Sequence, residues 1–258
     1  MKNKRKLENP NFSIIMPGGC NASCNYCFWK EEKNVHPDYI NMLSNSLDVL
    51  GGKVTQVSLT GGEPTLSPHF DSIIEVLRGR NKKVVLSTNG TRLASKIPVI
   101  SGVVNHVNIS RNSYDYLDNA SLFGTRDTPE GAFSIRQLSL ACNKECVNIT
   151  ISKVVTDKEL FGLAELSGFV HLAKSSNASG LIIRKCNNDS LAPLPVEAEL
   201  NCNHQVSKCD VCAEHFYWIN GLPVFFKMAL KDPSKTIPDF EWIFHPSGRL
   251  SHSWKDVE

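Results

Sequence analysis

The chain has 258 residues, of which 41% are hydrophobic and 21% are charged, and its formal net charge is +2. This length fits one large domain or two small ones, and the weak charge argues against nucleic acid as a partner. No apolar run reaches the roughly 18 residues that a membrane span needs, and no apolar segment follows the basic start. We therefore expect a cytoplasmic protein that binds neither a membrane nor nucleic acid.

Short runs rich in Val and Ile alternate with segments of helical spacing over the first part of the chain. The short link at residues 91–102 has only a weak helical pattern. This alternation is typical of a parallel sheet, open or curled into a barrel, with its chemistry on the loops after the carboxyl ends of the strands. Strands are predicted for residues 12–16, 54–59, 83–87, 103–110, 147–155 and 180–185, and helices for residues 38–50, 70–78, 129–141 and 160–173.

The pattern changes after residue 187. The polar stretch 187–213 predicts a long loop, and an Asn-Gly pair predicts a tight turn between strands at 216–219 and 222–228. Residues 240–254 predict two more short strands around a Pro-Ser-Gly turn. We therefore divide the chain into a flexible N-terminus (1–11), a barrel (12–186) and a short β-rich C-terminal extension (187–258).

Nine cysteines are many for a chain in a reducing compartment, where clustered thiolates more often hold metal than form disulfides. Cys20, Cys24 and Cys27 fall on one loop, directly after the first predicted strand. Three thiolates leave one iron of a four-iron cube without a protein ligand, and a cofactor can coordinate at such an open position. A closed zinc site with a fourth ligand such as His36 is the alternative.

Three further motifs each follow a predicted strand. They are Thr-Gly-Gly-Glu-Pro-Thr at residues 60–65, Ser-Thr-Asn-Gly at 87–90 and Asn-Ile-Ser-Arg at 108–111. Together with the cysteine triplet, they resemble the radical S-adenosylmethionine (SAM) superfamily, nearest the branch that contains the molybdenum-cofactor cyclase. The resemblance covers residues 12–186 and implies a partial (β/α)6 TIM-type barrel, followed here by the β-rich extension.

The resemblance implies that the three cysteines bind a four-iron four-sulfur cluster, which splits SAM by electron transfer. The 5′-deoxyadenosyl radical so formed takes a hydrogen atom from the substrate, and reduced flavodoxin or ferredoxin supplies the electron. Such chemistry asks the protein for positioning and for exclusion of water, so no catalytic triad is expected. The resemblance also implies that SAM is bound by Tyr26, Gly61, Gly62, Glu63, Thr88, Ser110, Arg111 and Cys186.

Two positions depart from the cyclase, because Ser58 stands where it has an arginine and Asn148 stands where it has a lysine. The cyclase reaction is therefore not expected, and we predict a small-molecule or nucleoside-like substrate instead. Candidate substrate contacts, each at or just after the end of a predicted strand, are Asn89, Arg126, Arg184 and His245.

Three later cysteines leave a second possibility open. Cys202, Cys209 and Cys212 are able to hold a second metal if Cys186, His204 or His215 completes the site; alternatively, they are spectator thiols. A second metal would favour a peptide-modifying maturase. A zinc-stabilised binding protein without catalysis would explain the cysteines, but not the Gly-Gly-Glu-Pro motif at a strand end.

Overall fold

The computed structural model describes residues 11–27, 34–124, 131–156, 159–186, 194–200, 215–227 and 241–254. Within these ranges the six predicted strands are confirmed, with small shifts at their ends. They lie side by side in chain order, and all their pairings are parallel. Their bounds are β1 (Asn11–Met16), β2 (Gln56–Gly61), β3 (Lys83–Thr88), β4 (Val104–Ser110), β5 (Asn148–Val155) and β6 (Gly180–Lys185).

The helices cover one face of this sheet. The four predicted helices are confirmed as α1 (Tyr39–Leu50), α2 (Phe70–Leu77), α5 (Gly131–Lys144) and α6 (Leu163–Ser175), and the weak link forms α3 (Leu93–Ile100). The loop prediction for 187–213 is wrong over α7 (Pro195–Leu200).

The sequence analysis missed one helix, α4 (Tyr116–Phe123). Its residues have little apolar periodicity, so the pattern alone did not indicate a helix. Its ends are fixed by other means. The Asp115 carboxylate accepts hydrogen bonds from Leu117 N (2.8 Å) and Asp118 N (3.0 Å), and Gly124 ends the helix in the left-handed conformation at φ +63°.

The two predicted C-terminal hairpins are confirmed as β7 (His215–Ile219) with β8 (Leu222–Lys227) and as β9 (Glu241–Phe244) with β10 (Leu250–Ser251). Both join the barrel sheet, because β8 pairs in parallel with β6 and β9 pairs in parallel with β1. The order is β10-β9-β1-β2-β3-β4-β5-β6-β8-β7, an open sheet consistent with a partial barrel. The hairpins therefore extend both edges of the sheet, and the division at residue 186 stays a prediction.

The two faces of the sheet differ in chemistry. Alternate strand residues such as Val57, Leu86 and Ile151 are fully buried and share one apolar core with helical residues such as Leu43 and Phe70. The intervening residues point to the concave inner face, because successive side chains alternate along a strand, and most of them are polar. The parallel strands bring their carboxyl ends to one edge. In the described ranges, no helix has both the length and the apolar character for a bilayer span.

Candidate functional site

The cysteine triplet lies on the loop that follows β1. Cys20 and Cys27 are exposed and Cys24 is partly exposed. A turn closes between Cys27 N and Cys24 O (3.1 Å), and the Cys20 sulfur accepts a hydrogen bond from Ala22 N (3.3 Å). Burial raises the pKa of Cys20 and of Cys24, and the charge of Cys27 raises both further. The thiols are therefore close enough to interact, and a bound metal would favour their thiolate forms.

Glu63 is a buried carboxylate, 3% exposed, that follows β2. Its Oε1 accepts hydrogen bonds from Thr65 N (3.1 Å), Thr65 Oγ1 (2.5 Å) and Thr88 Oγ1 (2.6 Å), and its Oε2 accepts one from Asn89 N (2.7 Å). Its own N–H donates to Gly19 O (3.1 Å) in the cysteine loop. Neutral donors thus stabilise the buried charge. Oε2 keeps room for a further donor, because a carboxylate oxygen accepts about two hydrogen bonds.

Asn89 joins the loop after β3 to the cysteine loop. Its Nδ2 donates to Asn21 Oδ1 (2.8 Å) and lies 4.0 Å from the sulfur of Cys20. Its Oδ1 accepts from Thr91 N (3.0 Å) and Thr91 Oγ1 (2.8 Å), and Asn21 Nδ2 donates to Thr91 Oγ1 (3.1 Å). The side chain proposed for substrate contact is therefore 5% exposed and positions the loop that carries Cys20.

The opposite side of the cysteine loop contacts α4 and the residues before it. Tyr26 Oη donates to Asn112 Oδ1 (2.6 Å), and Asn112 N donates to Asn119 Oδ1 (2.7 Å). Ser23 N donates to Phe123 O (2.7 Å). Burial raises the pKa of Tyr26 well above its usual range, so the phenol stays a donor. The sequence analysis named Tyr26 but missed Asn112 and Asn119, because no local pattern distinguishes them from surface amides.

The carboxyl ends of β4 and β6 carry the other residues assigned to SAM. Ser110 is partly exposed, whereas Arg111 is fully buried and its N–H donates to Ser152 O (2.8 Å). Burial lowers the pKa of Arg111 to about 10, although the charge of Asp115 opposes this change, and the side chain remains a cation at neutral pH. Cys186 directly follows β6 and is partly exposed.

Gly61 allows the close approach of β1 and β2 at this edge. Its φ is +133°, and a Cβ atom would lie 2.9 Å from Met16 O and 3.0 Å from Met16 N. Met16 is the register partner of Gly61 and the last residue of β1. The glycine is therefore required both by the backbone conformation and by the space beside it. Gly62 follows on the path to Glu63 and is partly exposed.

The remaining substrate candidates differ in position. Arg184 is exposed on the inner face of β6. His245 is fully buried, and its Nε2 lies 2.9 Å from Ser251 Oγ and 3.0 Å from Ser253 O, which indicates a structural role in the β9–β10 turn. Four predicted residues lie outside the described ranges, namely Arg126, Cys202, Cys209 and Cys212.

The residues at this edge fit a cluster with SAM. Three soft sulfur donors lie on one exposed loop, and a carboxylate with spare acceptor capacity adjoins them. Asn108 Oδ1 and Asn112 Nδ2 are buried here without a hydrogen-bond partner among the described residues. Such atoms cost about 1–3 kcal/mol each unless a ligand or water satisfies them. In the described part of the chain, no three His, Cys, Asp or Glu side chains form a candidate single-ion site, whereas the thiolates of a cube bind different irons.

Comparison with known proteins identifies the class. A family model described as the Radical SAM superfamily matches residues 14–166, and the chain belongs to this superfamily. That match favours iron–sulfur chemistry over the zinc alternative for the triplet.

Relatives agree with the branch predicted from the motifs. A protein of Pyrococcus horikoshii named as a probable GTP 3′,8-cyclase is 28% identical over 168 residues, which cover 62% of this chain and 53% of that protein. A SAM-dependent nucleotide dehydratase of a Thermoplasmatales archaeon is 30% identical over 122 residues, covering 46% of this chain and 42% of that protein. The chain therefore spans about half the length of these relatives or less.

A solved structure supports the fold over nearly the whole chain. Streptococcus suis SuiB bound to SAM has a TM-score of 0.64 at 15% identity, and the match covers 96% of this chain and 61% of that one. At this identity the likeness concerns the fold alone.

We expect Gly61→Ala to destabilise the protein and to lower its iron content, because the added methyl overlaps the end of β1 from which the cysteine loop begins. Gly79→Ala is the matched control, since Gly79 also has a positive φ (+75°) but no described atom within 4 Å of the position that a methyl group would take. The backbone conformation costs both variants about 1–2 kcal/mol, and overpacking adds about 1–3 kcal/mol at residue 61. Urea unfolding and iron analysis after anaerobic reconstitution measure both effects; equal values for the two variants would contradict the assignment.

Proposed function

We propose that this protein cleaves SAM reductively at a four-iron four-sulfur cluster and uses the resulting radical to take hydrogen from a small-molecule or nucleoside-like substrate. One observation carries the proposal. Glu63 and Asn89 join the Gly-Gly-Glu loop and the loop after β3 to the loop that bears Cys20, Cys24 and Cys27. Superfamily membership supports the same chemistry.

When bound, the cluster supplies the electron that separates SAM into methionine and a 5′-deoxyadenosyl radical. In this proposal Cys20, Cys24 and Cys27 hold three irons and leave the fourth open. Glu63 Oε2 accepts a hydrogen bond from the amino group of SAM. The remaining contacts to its ribose, carboxylate and adenine come from Tyr26, Gly61, Gly62, Thr88, Ser110, Arg111 and Cys186.

The substrate and the electron donor are also part of the proposal. The printed names of two relatives refer to GTP and to a nucleotide, which supports a nucleoside-like substrate. Arg184 is the described candidate that is exposed on the inner face. Reduced flavodoxin or ferredoxin would deliver the electron, and we place the protein in the cytoplasm, where such donors are kept reduced.

A peptide-modifying maturase with a second metal is the alternative, and one contact favours it. Glu197 in α7 is fully buried, and its Oε2 lies 2.6 Å from His215 Nδ1 at the start of β7. A carboxylate on one ring nitrogen is the usual means of orienting a metal-binding histidine through its other nitrogen. His215 follows Cys209 and Cys212 in the sequence, with two residues between successive members of this series.

Cys24→Ala should abolish iron binding and SAM cleavage together, because two thiolates do not hold the cube. Iron per chain and 5′-deoxyadenosine released with dithionite are the measurements. Cys146→Ala is the control, since that thiol is exposed at the turn after α5. The cluster assignment fails if the Cys24 variant retains about four irons per chain.

Glu63→Gln should weaken SAM binding more than it weakens cluster assembly. Loss of a hydrogen bond between a carboxylate and a charged amine costs about 1.5–3 kcal/mol, or roughly tenfold to a hundredfold in affinity. The amide nitrogen also meets donors on either side, so a loss of stability should accompany the change. The dissociation constant for SAM is measured on anaerobic protein matched for iron. An unchanged constant would remove Glu63 from the SAM site.

Metal content decides between the proposal and its alternative. We expect about four irons and no zinc per chain, and we expect the variant with alanine at Cys202, Cys209 and Cys212 to keep the iron and SAM cleavage. Iron near twice that amount, or one zinc lost in the triple variant, would instead support the maturase. In that case Glu197→Gln should lower the affinity of the second metal about 10–100-fold.

A further inference from the structure

Two cations lie side by side on the inner face of the sheet. Arg184 of β6 and Lys227 of β8 are register partners in the parallel ladder. The guanidinium is on an exposed residue, and Lys227 is partly exposed. Like charges placed directly beside each other on one face of a sheet destabilise it. An anion between them would reverse this effect, which makes the pair a candidate anion site.

The neighbouring strands keep this wall positive. His106 of β4 also faces inward, and its Nε2 lies 2.5 Å from Thr150 Oγ1 on β5. Burial lowers the pKa of His106, and the charges of Lys83 and Lys227 lower it further. The imidazole therefore stays neutral at neutral pH, and the positive potential on this side comes from lysine and arginine.

The other edge of the open sheet carries a carboxylate in a polar network. Glu241 Oε1 accepts hydrogen bonds from Ser13 Oγ (2.5 Å) and Asn11 Nδ2 (2.8 Å). Asn11 Oδ1 in turn accepts from Gln56 Nε2 (3.2 Å) and Ser58 Oγ (3.1 Å). β9, β1 and β2 thus present an acceptor-rich surface on which Glu241 is partly exposed.

The two walls face each other across the barrel interior. Burial raises the pKa of Glu241, and hydrogen bonds from Ser13 and Asn11 and the charge of Arg184 oppose the rise. Arg184 and Glu241 lie on strands separated in the sheet by the five strands β1 to β5. Only the curvature of the sheet brings these two charges within reach of each other.

We propose that the inner face binds a small molecule with an anionic group at Arg184 and Lys227 and a hydrogen-bond-donating group at Glu241. This inference deepens the proposed function, because it assigns the chemical class of the substrate. A phosphate or a carboxylate has the required anionic chemistry, and an amino-bearing base or a guanidinium has the required donors. Ser58 and Asn148, which replace two basic residues of the cyclase, leave Arg184 and Lys227 as the cations of this face that the structure pairs in register.

Calorimetric titration of the full chain, purified anaerobically and saturated with SAM, tests the proposal with three probes. Cytidine 5′-monophosphate carries a phosphate and an amino-bearing base, L-arginine carries a carboxylate and a guanidinium, and cytidine lacks the anion. We expect at least one of the two anionic probes to bind more tightly than cytidine. Which of the two binds distinguishes a phosphate from a carboxylate as the natural anion.

Substitutions then assign the binding to the two walls. Arg184→Gln and Lys227→Gln should each weaken the anionic probe about tenfold or more and leave cytidine unchanged. Glu241→Gln should weaken the anionic probe and cytidine alike. Arg136→Gln and Lys144→Gln remove the same charges from exposed positions on α5 and should change nothing. Should Glu241→Gln unfold by circular dichroism, the exposed Arg184 variant decides the outcome.

Three results would overturn the inference: no binding of either anionic probe at millimolar concentration, displacement of the probe by SAM, or equal losses in the α5 controls. Release of 5′-deoxyadenosine is measured on the same preparations. Intact SAM cleavage without probe binding would refute the inner-face site alone. Probe binding without SAM cleavage would refute the proposed function and leave a binding site of the stated chemistry.

Discussion

The buried carboxylate of Glu63 is the interaction on which the candidate site depends. It accepts hydrogen bonds from residues that follow β2 and β3, and its own amide is bonded to Gly19 in the cysteine loop. Burial of an uncompensated charge is very unfavourable, so these donors must stay in place for the chain to fold. The same contacts bring three separate segments to one edge of the sheet. Stability and the geometry of the site are therefore linked through a single side chain.

Around that carboxylate, the cysteine loop is held from both sides. Asn89 contacts it through Asn21, and Asn112 contacts it through Tyr26. A site whose residues are fixed by packed neighbours keeps its geometry better than one on a free loop. Since the loop belongs to neither strand ladder, these amide contacts decide its position.

The C-terminal residues contribute more to the barrel than their sequence indicates. β8 and β9 close onto opposite edges of the six-stranded sheet and bring Lys227 and Glu241 to its inner face. Asn11 and Glu241 are hydrogen-bonded although 230 positions separate them in the chain. The chemistry of the inner face therefore arises from strands at both ends of the described chain.

The sequence by itself determined the six parallel strands, four of the helices, both hairpins and the family. Those features depend on local apolar periodicity, on turn residues and on motifs of fixed spacing, all of which are written in neighbouring positions. Only the tertiary structure decided that α4 forms, that β8 and β9 join the barrel sheet, and that Asn112 contacts Tyr26. A weakly periodic helix depends on its caps and on the loop it packs against, and a polar residue such as Asn112 has the same local pattern whether it is exposed or buried. Pairing between strands distant in sequence follows from the packing of the whole sheet, which no local window contains.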